Sequence, residues 1–325
     1  MERFSLTIAI IIIGLFLGYF IQILNQKKII HLSISMKNLS KILQKIALLF
    51  LNPIALIGAL WMAELNSFKL LILPVLGILA WTIGGFVAWR IGKLQRMENH
   101  KLGAYIIAGS FSNVGVIGGI ICYVFFGEIG FAFVPIYKLF EELTYYGVGF
   151  PIAKALSTEE ITNVSLIERL KNIFSDTYIR VAMGSILIGL ILNFTGIKRP
   201  EIYSNINGIL IPATTIILLT SIGLNMRFHK IKEYIKPSII LAIFKMLLLP
   251  VCIGTLGYLF GLGSISDGLP LKVAIVLSSM PTGFIALVPP SIYNLDIDLA
   301  NTIWIVTTSS LLIVVPILYF VTSWI

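Results

Sequence analysis

The sequence predicts an all-α polytopic membrane protein, and three observations carry that prediction. Of its 325 residues, 58% are hydrophobic and only 12% charged, against about 25% charged in a soluble domain. Runs of roughly twenty apolar residues, the length that crosses a bilayer, recur at about 5–24, 43–63, 69–89, 103–126, 129–156, 178–195, 202–225, 237–260, 268–293 and 299–322. The first five runs and the last five also share short matches in the same order. Ten transmembrane helices are therefore expected, as a five-plus-five repeat covering 1–156 and 178–325. No window remains for a soluble catalytic domain.

The matches run as follows. Span 1 carries "IGLFLGY" from Ile13 and span 6 "IGLILNF" from Ile188. Spans 2 and 7 each carry a central proline, Pro53 and Pro212, expected to break these helices. Span 3 has "LILPV" from Leu71 and span 8 "LLLPV" from Leu247. Span 4 has Asn113-Val114-Gly115 with "EIGFA" beginning thirteen residues after Gly115; span 9 has Pro281-Thr282-Gly283 with "DIDLA" thirteen residues after Gly283. Five is odd, so the second half enters the membrane from the opposite side, and the repeats are inverted as in many secondary transporters.

Charge fixes the expected orientation. Loops after spans 1, 3, 5, 7 and 9 hold seventeen Lys and Arg, and the opposite loops hold five: Arg3, Lys69, Lys198, Arg199 and Lys272. By the positive-inside rule both termini lie outside the cytoplasm of a cell-membrane protein. The net charge of +9 thus reads as topology, aided by anionic headgroups, and nucleic acid is not an expected partner. The linker at 157–177 contains "SLIERLKNIF", whose Leu166, Leu170, Ile173 and Phe174 share a helical face, as in an interfacial helix on the cytoplasmic leaflet. The first span lacks a small-residue cleavage site and is expected to remain a membrane helix. Cys122 and Cys252 fall within spans and read as small apolar fillers.

Spans 4 and 9 are weakest at their centres. Ser110, Ser112, Asn113, Gly115, Gly118 and Gly119 interrupt one; Ser278, Ser279, Pro281, Thr282, Gly283 and the Pro289-Pro290 pair interrupt the other. In lipid, broken backbone survives only against protein or a water-filled cavity. A break also exposes helix N-terminal N–H groups carrying partial positive charge, which favours an anion. The expected substrate site is therefore the crossing of the two breaks: Ser110, Ser112, Asn113, Val114 and Gly115 with Ser279, Met280, Pro281, Thr282 and Gly283. Close packing of small residues is the competing explanation.

Two cations fall inside spans. In "YKLFEELTYYGVGF" of span 5, Lys138, Glu142 and Tyr145 recur at helical spacing with Glu141 adjacent. Lys138 is expected to pair with Glu142 or Glu141, as a structural ion pair or as an anion and proton-coupling site. Lys245 of span 8 is expected to anchor structure, through Glu141 or a backbone carbonyl.

The Asn-x-Gly around Asn113 followed by "FGEIG", and "SSMPTG…SIYNLDIDLANTIWIVTTSS", resemble the auxin efflux carrier family across nearly the whole chain. That family joins plant PIN-type auxin carriers to bacterial carriers, some proposed to move malonate. The resemblance implies a fold related to the bile-acid sodium symporters. Spans 1, 2, 6 and 7 would form a scaffold, and spans 3–5 and 8–10 a transport domain carrying crossed, broken helices 4 and 9. It also implies that Asn113 touches a substrate carboxylate. Plant members carry a second Asn where this chain has Ser279, Met280 and Thr282, so the clamp is differently tuned and auxin itself is not the expected solute.

The expected function is a secondary carrier of small organic anions, malonate-like or auxin-like carboxylates, working by elevator-like alternating access with possible proton coupling. Two copies are expected to pair through scaffold helices. A sodium-coupled symporter is the alternative, although neither break contains an Asp or Glu. A membrane sensor would carry a signalling domain, and the chain stops just after span 10. An intramembrane enzyme is not expected: His31, His100 and His229 fall in predicted loops, and no metal-ligand cluster or cofactor motif appears in a span.

Overall fold

The computed structural model describes residues 2–30, 33–63, 65, 67–157, 175–226, 228 and 230–325. The linker helix expected at 157–177 lies almost wholly outside them, as do His31 and His229. Among the described residues there is no strand, and seven helical segments are long and apolar enough to cross a membrane, or eight counting a pair bent by 46°. The chain is a polytopic all-α membrane protein. In order, the helices are α1 (Glu2–Gln26), α2 (Met36–Ile46), α3 (Asn52–Trp61), α4 (Ile72–Leu94), α5 (Asn99–Ser110), α6 (Gly119–Tyr137), α7 (Glu141–Thr144), α8 (Phe150–Ala155), α9 (Thr177–Phe194), α10 (Ile202–Gly223), α11 (Ile231–Ile243), α12 (Leu249–Leu259), α13 (Leu269–Ser278), α14 (Val288–Ile292), α15 (Ile297–Ser309) and α16 (Leu311–Trp324). His100 thus begins a helix rather than lying in a loop: Glu98, in extended conformation, is the residue from which α5 starts.

The chain folds as two compact units. One comprises Met1–Leu65, Gly119–Phe133 and Ser175–Arg227. Here α1 and α10 approach closely because each offers a glycine where the other's backbone passes. A Cβ on Gly18 would stand 2.1 Å from the Thr220 carbonyl oxygen, and one on Gly223 would stand 2.3 Å from that of Leu15. Gly127, at φ 72°, kinks the helix before Glu128. The Glu128 carboxylate takes an ion pair from Arg199, a hydrogen bond from Ser204 (3.0 Å) and one from the Asn207 amide (2.7 Å). A buried charge with this many donors is satisfied rather than costly.

The other unit comprises Asn66–Gly118, Val134–Phe174 and Phe228–Ile325. Its packing repeats the logic: a Cβ on Gly84 of α4 would stand 2.5 Å from the Gly109 carbonyl oxygen of α5. Ala88, Tyr105, Ala108, Tyr234, Leu241, Leu299 and Ile303 form a buried apolar cluster joining α4, α5, α11 and α15. Asp296 caps α15 by accepting the Leu299 N–H (2.8 Å) and also accepts the Tyr234 hydroxyl (2.7 Å).

Prolines do not act as expected. Of four helical segments with a widened π turn among the described residues, three, at Ala47–Leu51, Tyr145–Gly149 and Phe244–Leu248, end two residues before a proline, Pro53, Pro151 and Pro250; the fourth, Val114–Gly118, follows the break and has no such proline. The missing N–H and the ring's push on the preceding carbonyl are relieved by one extra residue in the turn. Pro53 therefore widens its span, which runs unbroken over Met36–Trp61. Pro212 sits inside α10 without interrupting it. The expectation that these two prolines break their helices is corrected on both counts.

Candidate functional site: two interrupted helices and the cavity beside them

Helix α5 stops at Ser110 because Phe111 turns to extended backbone. The other interruption follows α13, and Gly283 is likewise extended before the chain coils again at Phe284–Leu287. The two extended pieces meet as an antiparallel bridge between Ser112 and Thr282. Asn113 N–H donates to the Pro281 carbonyl (2.8 Å) and Gly283 N–H to that of Phe111 (3.0 Å). Gly283 permits this approach, since a Cβ there would stand 3.0 Å from the Ser112 carbonyl oxygen. Backbone that lipid could not satisfy is thus satisfied by the partner break.

Four helix ends are created, and side chains serve most of their polar groups. At the end of α13, the Ser278 and Ser279 hydroxyls donate to the Ile275 carbonyl (3.0 and 2.7 Å). At the end of α5, Thr282 donates to the Ala108 carbonyl (2.8 Å), and Lys245 donates to those of Ala108, Gly109 and Phe111. Thr307 on α15 accepts the Thr282 N–H (3.1 Å). Where the helix resumes at Val114, Asn113 Oδ1 accepts the Ile117 N–H at a long 3.4 Å, an N-capping role.

Beside this crossing lies a small, open-mouthed cavity. Ser110, Ser112 and Val114 line it from the first break, Leu277 and Ser278 from the second, Gly77 and Trp81 from α4, and Lys138 and Glu141 from the turn joining α6 to α7. Lys138 pairs with Glu141 at 2.8 Å. The turn at Lys138 displaces it from the helical face that the Lys138–Glu142 spacing implies. A Cβ built on Gly115 would stand 3.3 Å from Lys138 Nζ, so the ammonium lies against the first turn of the resumed helix. Two of the lining residues, Trp81 and Tyr137, hold buried polar atoms, Nε1 and Oη, that have no hydrogen-bond partner among the described residues.

Of the ten residues singled out at the breaks, Ser110, Ser112 and Val114 border the cavity. Asn113, Gly115, Ser279, Met280, Pro281, Thr282 and Gly283 do not, nor do Glu142 and Tyr145. Ser279, Met280 and Thr282 have no exposure; they build the crossing. The Tyr145 hydroxyl donates to the Ile285 carbonyl, and its ring packs edge-on against Phe111. Sequence reasoning missed Trp81 and Tyr137, which carry no signal beyond being aromatics in an apolar span. It also missed the Glu128–Arg199 pair, having counted Arg199 as a loop charge.

A family model described as membrane transport protein matches residues 4–319. The chain is 29% identical over 320 residues to an uncharacterized transporter of Methanocaldococcus jannaschii, covering 94% of this chain and 95% of that protein. It is 20% identical over 266 residues to an uncharacterized transporter of Methanothermobacter thermautotrophicus, covering 82% and 83% respectively.

Proposed function

Because this chain belongs to the membrane transport protein family, the auxin efflux carrier family that its break motifs resemble, we propose that it is a secondary carrier of small organic anions working by alternating access. The observation that carries the substrate class is the placement of Lys138. Its ammonium lies against the first turn of the helix resumed after the break and lines the same cavity, with Trp81 and Tyr137, two residues whose buried polar hydrogens have no partner among the described residues, also in the lining. Positive helix end, ammonium and donors together select an acceptor-rich anion. A small carboxylate would enter at the mouth of the cavity by taking over Lys138 from Glu141. Non-reacting solute and a wall of binding groups describe a carrier, not an enzyme.

The inverted ten-span reading accompanies this proposal. The two interrupted segments meet as equivalents in a repeat, and the first compact unit gathers spans 1, 2, 6 and 7 while the second gathers spans 3, 8, 9 and 10 with the parts of 4 and 5 that carry the crossing and Lys138. The first serves as scaffold and the second as the moving body, paired copies meeting through the scaffold. Glu141 and Glu142 both act on Lys138. Two carboxyls on one ammonium leave a net negative charge that a proton neutralises at least cost within a membrane, so the anion is carried with a proton.

Thermal unfolding of purified protein against a panel of mono- and dicarboxylates tests the substrate class. At least one short-chain carboxylate is expected to stabilise the native protein, and Lys138→Gln/Glu141→Gln, which removes one charge of each sign and leaves the net charge of the site unchanged, is expected to lose that response. No response to any carboxylate would remove the substrate class. Asn113→Ala is expected to weaken the response by loosening the resumed helix. For coupling, Glu142→Gln is expected to flatten the pH dependence of proteoliposome uptake; an unchanged profile would make Glu142 structural.

A further inference from the structure

Lys245 is a fully buried lysine in a stretch without an acidic residue between Lys236 and Leu259. The π turn Phe244–Leu248 aims it inward. Its Nζ lies 2.8 Å from the Gly109 carbonyl oxygen, 2.9 Å from that of Phe111 and 3.3 Å from that of Ala108. These three acceptors are backbone carbonyls, and Glu141, which pairs with Lys138, acts on Lys245 through its longer-range field.

The acceptors explain the charge. Ala108 and Gly109 end α5 at its negative pole, where carbonyls lack a partner within the helix, and Phe111 follows at the break; the Ala108 carbonyl also accepts the Thr282 hydroxyl and the Phe111 carbonyl the Gly283 N–H. Three oxygens match the three N–H donors of an ammonium, whereas a neutral amine would turn its lone pair onto one of them. Unwound carbonyls at the C-terminal end of a half-helix are also where a membrane carrier holds a coupling cation such as sodium.

We propose that Lys245 is a tethered replacement for that cation: its ammonium permanently fills a monovalent-cation site made by the carbonyls of Ala108, Gly109 and Phe111. The chain therefore needs no sodium to close the first break. The repeat supports this reading. "FKMLLLPV" from Phe244 matches "FKLLILPV" from Phe68, yet Lys69 lies exposed and donates to the Ser264 hydroxyl (3.0 Å). In that half, the carbonyl end of α13 is served by the hydroxyls of Ser278 and Ser279 instead. One lysine of an equivalent pair has been recruited to the interior, where the break it serves offers three oxygens.

The consequence for transport rests on the carrier reading above, while the cation site itself does not. Thermal unfolding is compared in sodium, potassium and choline chloride at equal ionic strength. The native protein is expected to unfold at the same temperature in all three. Lys245→Ala vacates the site and is expected to regain about 3 °C or more, saturably, in sodium or potassium over choline, which is too large to enter. A native protein stabilised by sodium over choline, or a folded Lys245→Ala variant indifferent to both alkali cations, overturns the proposal. Should that variant not fold, native proteoliposome uptake decides: equal rates in sodium and choline support the proposal, and loss of uptake in choline overturns it. Because the unfolding arm involves no carboxylate, its outcome is independent of whether an anion is found.

Discussion

Thr282 has the hydroxyl that a carboxylate clamp would want, but burial and hydrogen bonding assign that hydroxyl elsewhere. It has no exposure, its Oγ1 donates to the Ala108 carbonyl and its N–H donates to Thr307. The two bonds should respond differently to near-isosteric change. Thr307→Val removes the acceptor of a buried N–H and leaves it orphaned, at about 1–3 kcal/mol. Thr282→Val removes a donor from a carbonyl that Lys245 still serves, at about 1 kcal/mol or less. Denaturant unfolding of the two variants checks the order; equal losses would mean that Thr307 does not hold the second break. Sequence could show hydroxyls at a break because Thr, Ser and Gly interrupt an apolar run. It could not show which hydroxyls are already committed, because Thr307 lies twenty-five residues away from Thr282 on another helix.

At the scale of elements, the breaks of spans 4 and 9 were legible because glycine, proline and polar residues cluster at each. The π turns were not, since a lone proline in an apolar run signals a break, a kink or nothing. Pro53, Pro151 and Pro250 each follow a π turn, whereas Pro212 sits in regular helix. Pro250 gives a prediction against the ordinary rule that replacing a helical proline stabilises. Pro250→Ala restores a donor and lets Phe244–Leu248 close to α-helical register. Closing the turn removes one residue, which rotates Lys245 by about 100° away from the three carbonyls. Pro250→Ala is therefore expected to lower the melting temperature while Pro53→Ala leaves it near the native value. A stabilised Pro250→Ala variant would show that Lys245 reaches its oxygens without the π turn.

For the whole molecule, hydropathy alone miscounts crossings in a telling way. Val114–Ala155 forms one 42-residue helical segment, about 63 Å at 1.5 Å per residue, or roughly twice the hydrocarbon thickness. The backbone leaves helical geometry within it at Gly127. Its first part is too short to cross alone, as is the twelve-residue α5 before the break; in the proposed ten-span reading the two, joined through Phe111–Asn113, make one crossing. If so, three crossings separate Lys93 from Lys198 and these exposed residues lie on opposite sides of the membrane. If the 42-residue segment is instead a single crossing and α5 none, two crossings separate them and they lie on the same side. Cysteines placed singly at Lys93 and Lys198, in a background with Cys122 and Cys252 replaced by Ala, decide by parity. The positive-inside bias adds the direction: an impermeant maleimide should label position 198 in intact cells and position 93 only after permeabilisation. The reverse pattern would invert the orientation and keep the crossing count. Labelling of both from one side would remove the broken span as a crossing, and with it the inverted repeat on which alternating access depends.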